Sequence, residues 1–170
     1  KGYDHTSLQD IIAATGLSKG AIYHHFTSKE AIFYSVCDRI GQRNGEALSA
    51  VRDDPRLSGI VKLRTIFKVS LQPERQAKMF CMMPYLIDHA KFLVTELRSI
   101  YQEVVPDFVE PIIRQGMADG TIPTEHPRAL GEAMILLCDV WINPIIQPTT
   151  PEEIQARCAV FNQLFGALGV

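Results

Sequence analysis

A short run of residues near the start of the chain has the types and spacing needed to contact double-stranded DNA. Lys19 can donate to guanine O6 and N7 or to a phosphate oxygen. Gly20 and Ala21 carry little side chain, so a helix backbone can approach the bases closely there, and Ala21 can touch a thymine methyl group. Tyr23 and His24 have polar tips suited to phosphate oxygens, contacts that position a protein without reading the sequence.

A first helix is predicted just before these residues. Its cap is Thr6 or Ser7, and each has a capping-box partner three residues later. Gly16 suits the left-handed conformation that ends a helix, and Leu17 is then expected to point back into the core. The apolar face of this helix repeats at spacings of three and four residues, through Leu8, Ile11 and Ile12.

Ser18 is predicted to cap a second short helix over residues 19–25. Two helices joined by a Gly-Leu-Ser turn make a helix-turn-helix, in which the second helix enters the major groove. Ser28 caps a third, connecting helix that runs as far as Arg52. Lys29 lies at the start of that helix, where the free amide groups form an anion site.

The segment over residues 2–36 resembles the DNA-binding domain of TetR-type (TetR/AcrR) transcriptional regulators, most specifically in the string Tyr-His-His-Phe-Thr-Ser-Lys-Glu at 23–30. Carried over by position, the resemblance implies a phosphate contact by Lys29. Members of the family also have a basic arm and one further helix ahead of this segment. That family helix, which would precede the helix capped by Thr6 or Ser7, is expected to be missing from this sequence. The DNA contacts that it implies are made by Ser18, Lys19, Gly20, Ala21, Tyr23 and His24.

Helical periodicity continues nearly throughout the chain, and alternating strand patterns are missing, so an all-α fold is predicted. The helix-turn-helix DNA-binding domain is assigned to residues 1–52, with the connecting helix from about 28. Residues 53–170 form a larger C-terminal helical domain for effector binding and dimerisation. One of its stretches is rich in methionine, which adapts to varied ligand shapes. The candidate effector-binding residues are Phe80, Met83, Tyr85, His89, Phe92, Tyr101 and Trp141; ordinary core packing is the alternative for each.

The last two predicted helices, at about 128–146 and 152–168, are unusually apolar. A monomer cannot easily hide such wide faces, so they predict an interface. The resemblance implies the same arrangement, a homodimer in which these helices of both subunits form a four-helix bundle. It further implies a ligand cavity in the central helices and repression that the ligand releases. Two recognition helices about 34 Å apart would read a near-palindromic operator.

The net charge of −2 argues against a protein that coats nucleic acid without sequence preference. Specific DNA binding must therefore come from the local group of residues described above. A helical small-molecule-binding or protein-interaction module without DNA binding is the alternative function, and the near-neutral charge supports it.

Other classes of protein are disfavoured by what the sequence lacks. There is no paired carboxylate pattern, phosphate loop or nucleophile elbow, so an enzyme is not expected, and no cofactor is predicted. The four cysteines form no CxxC pair, which predicts reduced thiols in a cytoplasmic protein. No metal site is predicted at His24 and His25, because adjacent side chains point about 100° apart on a helix. No apolar run is long enough to cross a membrane.

Overall fold

The computed structural model describes residues 3–70, 90–144 and 149–170, with the backbone alone at 70 and 90–92. All regular structure within these ranges is helical, which confirms the all-α prediction. The chain divides into two compact units, Lys1–Leu48 and Ser49–Val170. This division lies within a long helix that ends at Arg52.

The first unit begins with helix α1, Leu8–Thr15, and its cap is Ser7. The Ser7 hydroxyl accepts a hydrogen bond from the Asp10 amide at 3.1 Å, and the Asp10 carboxylate accepts one from the Ser7 amide at 2.9 Å. Gly16 ends the helix with a φ of 68°, a left-handed conformation that glycine adopts without steric cost. The capping box and the end of α1 at Gly16 are therefore observed where the sequence predicts them.

Helices α2, Lys19–His25, and α3, Lys29–Arg52, follow. The Ser18 hydroxyl accepts from the Ala21 amide at 3.1 Å and caps α2, as predicted. Ile22 is buried on the inner side of α2. Leu17, however, is 54% exposed, so the prediction that it points into the core is wrong. The backbone turns at Gly16 and is extended at Ser18, which leaves the Leu17 side chain on the solvent side of the turn.

The second unit contains the remaining helices. The helical path from 90 to 118 is continuous and widens in its middle to a π-helical segment, where Pro106, which has no amide hydrogen, is accommodated. In chain order the elements are α4, Gly59–Ser70; α5, Ala90–Ser99; the first π-helical segment, Ile100–Val109; α6, Glu110–Ala118; α7, Pro127–Leu136; the second π-helical segment, Leu137–Ile142; and α8, Pro151–Ala167.

Helices α4 and α6 approach each other closely because glycines lie at their contact. A Cβ atom added at Gly59 would lie 2.3 Å from the Cα atom of Gly116, a distance that no side chain can occupy. Asp119, just after α6, accepts a hydrogen bond from the Gly59 amide at 2.8 Å and so caps α4. The buried core around this contact includes Leu63, Ile66, Val105, Val109, Ile112, Ile113 and Ile122.

Candidate nucleic-acid interface

The outward face of α2 carries the residues that are predicted from the sequence to contact DNA. Ile22 anchors the opposite side of the helix in the core of the first unit. Tyr23 is 48% exposed, and Ala21 is half-buried. The exposed predicted residues on or just before α2 are Ser18, Lys19, Gly20, Tyr23 and His24. One short helix therefore presents six of the seven candidate DNA-binding residues together.

The Lys19 ammonium lies over the aromatic ring of Tyr23, 5.7 Å from its centroid. The two residues are four apart, the spacing at which side chains on a helix are neighbours. A cation over an aromatic face is attracted by the electron density of the ring. Because the ammonium keeps its N–H donors, the contact orients the Lys19 side chain and leaves it able to bind a phosphate or a base edge.

Gly20 has no packing role among the residues that the structure describes. A Cβ atom added there would meet no atom of these residues within 4 Å, and Gly20 is exposed in the first turn of α2. A glycine in a helix costs free energy relative to alanine. The open space in front of Gly20 is what a helix needs if its backbone is to approach another surface closely.

The imidazole rings of His24 and His25 stack on each other, with centroids 5.1 Å apart and planes inclined by 10°. The expectation that these adjacent side chains diverge is therefore wrong. Both residues are exposed in the last turn of α2 and are free to bend toward each other. His25 thus adds a second imidazole next to His24, which sequence spacing alone did not indicate.

Lys29 binds within its own unit in this structure. Its ammonium donates to the Tyr3 carbonyl oxygen at 2.8 Å and lies 3.9 Å from the centroid of the Tyr3 ring. The Tyr3 ring also packs edge-on against Phe33 of α3, with centroids 5.2 Å apart. Lys29 therefore holds the segment before α1 against the start of α3. Its remaining two N–H groups are what a phosphate contact would use.

The start of α3 favours negative charge. The pKa of Glu30 is lowered, first by hydrogen bonding to its own backbone amide and then by the Ser28 hydroxyl. The Ser28 hydroxyl also accepts from the Ala31 amide at 3.2 Å, which makes it the cap of α3. This is the behaviour expected at a helix N-terminus, where free amides attract anions.

Most of the candidate effector-binding residues lie outside what the structure describes. This applies to Phe80, Met83, Tyr85 and His89 and to the side chain of Phe92. Tyr101 is 41% exposed, and its carbonyl oxygen accepts a hydrogen bond from Arg128 at 3.0 Å. Trp141 is half-buried, and its carbonyl oxygen accepts one from Arg157 at 2.6 Å.

Two titratable groups of the second π-helical segment have raised pKa values. Burial, together with the charges of Asp139 and Cys158, raises the pKa of the Cys138 thiol to about 12. A thiol with so high a pKa is poorly nucleophilic at neutral pH. Burial, together with the charge of the Glu96 carboxylate, raises the pKa of Asp139 to about 6. Many protein atoms lie near the Asp139 carboxyl group, although the residue itself is exposed to water.

Helix α8 presents an apolar face to solvent. Val160, Leu164 and Leu168 are 43%, 50% and 53% exposed, and together with Phe165 and Ala133 they line a shallow groove. Phe165 itself is buried, so the groove has an apolar floor. The groove lies on one of the two helices that the sequence predicts to form an interface between subunits.

Comparison with known proteins identifies the type of domain that the start of the chain forms. Residues 1–36 match the model of the tetR family of bacterial regulatory proteins. Within these residues the chain carries the N-terminal domain of that family. The matched residues contain α1, α2 and the start of α3, and hence the whole exposed face described above.

Individual relatives agree with this assignment. The chain is 50% identical over 38 residues to YerO of Bacillus subtilis, an HTH-type transcriptional regulator, and 27% identical over 124 residues to DhaR of a Mycobacterium species, an HTH-type transcriptional repressor. The matches cover 22% and 72% of this chain but 13% and 62% of those relatives. A solved TetR-family transcriptional regulator from Pectobacterium atrosepticum has the same fold, with a TM-score of 0.61 and 21% identity over 98% of this chain and 82% of that one.

None of the helices formed by the described residues is both long and apolar enough to cross a lipid bilayer.

Proposed function

We propose that this protein is a DNA-binding transcriptional repressor of the TetR family. The observation that carries this proposal is the exposed face of α2, which lies within the segment that matches the family. In the proposed complex, Lys19 contacts a base edge or phosphate, Gly20 and Ala21 bring the helix backbone close, and Tyr23 and His24 bind phosphates. Ser18 and Lys29 complete the set, with Lys29 using the N–H groups that it does not donate to Tyr3.

The operator is proposed to be near-palindromic and bound by a homodimer. The apolar groove on α8 supports this arrangement, because exposed apolar surfaces of this kind mark interfaces. The subunits would pair through α8 and the preceding helix, which begins at Pro127. Symmetric half-sites then follow from the symmetry of the dimer. The four cysteines, none in a CxxC pair, support a cytoplasmic location.

The effector is proposed to be a small, largely apolar molecule that releases the protein from its operator. Its site would lie among the methionine and aromatic residues of the second unit. A ligand can shift the protein between two states only by its different affinity for them. A compound that binds this unit tightly and leaves operator affinity unchanged would show that binding and release are not coupled.

The test of DNA binding is an anisotropy titration of the full-length protein against the DNA upstream of its own gene at several salt concentrations. Specific binding should weaken steeply with salt, because Lys and Arg contacts displace counterions from DNA. Lys19→Ala should weaken binding; if its contact is to a phosphate, the slope of log affinity against log salt should also fall by about one. Lys68→Ala, at an exposed lysine of α4, serves as the matched control and should change neither quantity.

The alternative function is a helical small-molecule-binding or protein-interaction module without DNA binding. The net charge of −2 is what favours it. If the full-length protein binds neither the upstream DNA nor any duplex selected from a random pool, this alternative replaces the repressor. If it binds and Lys19→Ala has no effect, DNA is bound by a surface other than α2.

A further inference from the structure

Cys138 and Cys158 are the two cysteines of the second unit that the structure describes, and both are half-buried. Cys138 lies in the second π-helical segment and Cys158 in α8, and these two elements pack against each other. Cys138 follows the buried residues Met134 and Ile135 by four and three positions, the spacing of one helix face. Its thiol therefore lies on the inner side of its helix.

Cys158 also lies on an inner face. It is followed by Phe161 and Phe165 at three and seven positions, the spacing of one side of a helix. Phe165 is buried, and the Phe161 ring packs against the Phe67 ring of α4, with centroids 6.0 Å apart. Val160 marks the opposite, exposed side of α8, in the apolar groove. An interface formed by that groove would therefore leave Cys158 on the other side of the helix.

Two contacts, one on each side of the thiols, show how these elements run past each other. The Arg157 side chain donates a hydrogen bond to the Trp141 carbonyl oxygen at 2.6 Å. Further along, Ala133 lines the same groove as Leu164 and Phe165. The residue numbers fall along one element while they rise along the other, so the two elements are antiparallel.

Cys138 and Cys158 lie at nearly the same level of this antiparallel contact. Between the two contacts above, Cys138 is opposite Val160, two residues from Cys158, which is an offset of about 3 Å along the helix. Facing Cα atoms of packed helices are about 3–5 Å apart across the contact, because the axes lie about 8–10 Å apart and each Cα about 2.3 Å from its axis. The resulting Cα–Cα distance is about 5–6 Å, and a disulfide spans about 4.4–6.8 Å.

We propose that Cys138 and Cys158 are a dithiol that a peroxide converts to an intrachain disulfide, which ties the second π-helical segment to α8. In the first step the Cys158 sulfur attacks one peroxide oxygen, the O–O bond breaks and hydroxide leaves, so that Cys158 becomes a sulfenic acid. The Cys138 sulfur then attacks this sulfur, the S–S bond forms and the S–O bond breaks. The departing hydroxide takes the Cys138 proton and leaves as water. Two thiols are oxidised, and one hydrogen peroxide is reduced to two waters.

The order of the two steps follows from the environment of Cys138. Burial is the first cause of its raised pKa, and the thiol is therefore a poor first nucleophile. The charge of Cys158 also contributes to that raised pKa. Because a sulfenic acid is uncharged, this contribution disappears once Cys158 is oxidised. The second attack is also within one chain, between groups that the fold holds next to each other, which raises its rate.

The test treats the reduced full-length protein with hydrogen peroxide, blocks the remaining thiols by alkylation and digests the product with trypsin. Trypsin cleaves after Arg128 and Arg157, so the two cysteines fall in separate peptides, 129–157 and 158–170. We expect mass spectrometry to find these peptides joined, with the mass of both less two hydrogen atoms. The same product should resolve into its two peptides after reduction with dithiothreitol.

Thermal unfolding shows whether the disulfide fits the folded protein. The cysteines are 20 residues apart in the chain, and a disulfide that closes a loop of this size without strain should raise the melting temperature by about 5 °C. Cys37→Ser, at a half-buried cysteine of the first unit, is the matched control and should show the same linkage and the same rise. Cys158→Ala should show neither.

Three results would overturn the proposal. The first is linkage of Cys138 or Cys158 to Cys37, to Cys81 or to a second chain in place of each other. The second is oxidation of Cys37 while Cys138 and Cys158 both remain reduced. The third is a linked pair that lowers the melting temperature, since the native fold would then have to distort to form it. If Cys158→Ala does not fold, wild type with and without dithiothreitol gives the same comparison.

Discussion

Substituting Gly20 by alanine should change stability and DNA binding in opposite directions. Within the described part of the chain the added methyl group meets nothing closer than 4 Å, and Gly20 has no left-handed backbone that would exclude a side chain. Alanine loses less backbone entropy than glycine in a helix, with a difference of about 0.5–1 kcal/mol in a helix interior. Because Gly20 lies in the first turn of α2, we expect the lower value, about 0.5 kcal/mol. For a chain of 170 residues this corresponds to a rise in the melting temperature of about 1–2 °C.

On DNA the same methyl group would keep the backbone of α2 away from the base edges. A lost or lengthened base contact costs about 1–3 kcal/mol. We therefore expect operator affinity to fall by at least about tenfold, which corresponds to about 1.4 kcal/mol. The assays are thermal unfolding followed by circular dichroism and an anisotropy titration on a selected duplex.

Gly41→Ala provides the matched control. Gly41 lies in the interior of α3 and is exposed, and no described residue comes within 4 Å of a Cβ added there. It should raise the melting temperature by a similar or larger amount and leave DNA affinity unchanged. Full operator affinity of Gly20→Ala would refute the close approach of α2, and a lower melting temperature would refute the open space around Gly20.

Three further substitutions test other parts of the structure. Leu164→Glu places a charge in the apolar groove of α8 and should convert a dimer to a monomer in light scattering, whereas an unchanged dimeric mass would exclude this face as the interface. Gly59→Ala forces a Cβ atom to within 2.3 Å of the Gly116 backbone and should lower the free energy of unfolding, measured in urea, by about 3 kcal/mol or more. A loss below about 1 kcal/mol would show that α4 and α6 can move apart at little cost in free energy. Asp139→Asn should raise the melting temperature more at pH 7.5 than at pH 4.5. The raised pKa of Asp139 means that the folded protein holds a proton that the unfolded chain releases. The unfavourable contribution of Asp139 to the stability of the folded protein therefore grows as pH rises from about 4 to about 6. An equal effect at both pH values would contradict the raised pKa.

Features that depend on residues close together in the chain could be predicted from the sequence. The Ser18 cap and the end of α1 at Gly16 were predicted because each rests on a hydrogen bond or a backbone conformation set within four residues. The choice of Ser7 over Thr6 as the cap of α1 needed the structure, since both have a partner at the right spacing. Leu17 was placed wrongly, because an apolar residue type does not determine which side of a turn it occupies.

The sequence by itself determined the helical fold, the helix-turn-helix and the residues of its outward face, because helical periodicity and capping are local. The tertiary structure decided which residues distant in the sequence meet. It placed Lys29 on Tyr3, 26 residues away, and Lys62 between Arg52 and Gln115, 10 and 53 residues away. It also brought Gly59 against Gly116. Such pairs leave no periodic pattern, because the partner of a buried donor or of a close-packed glycine depends on how whole helices pack.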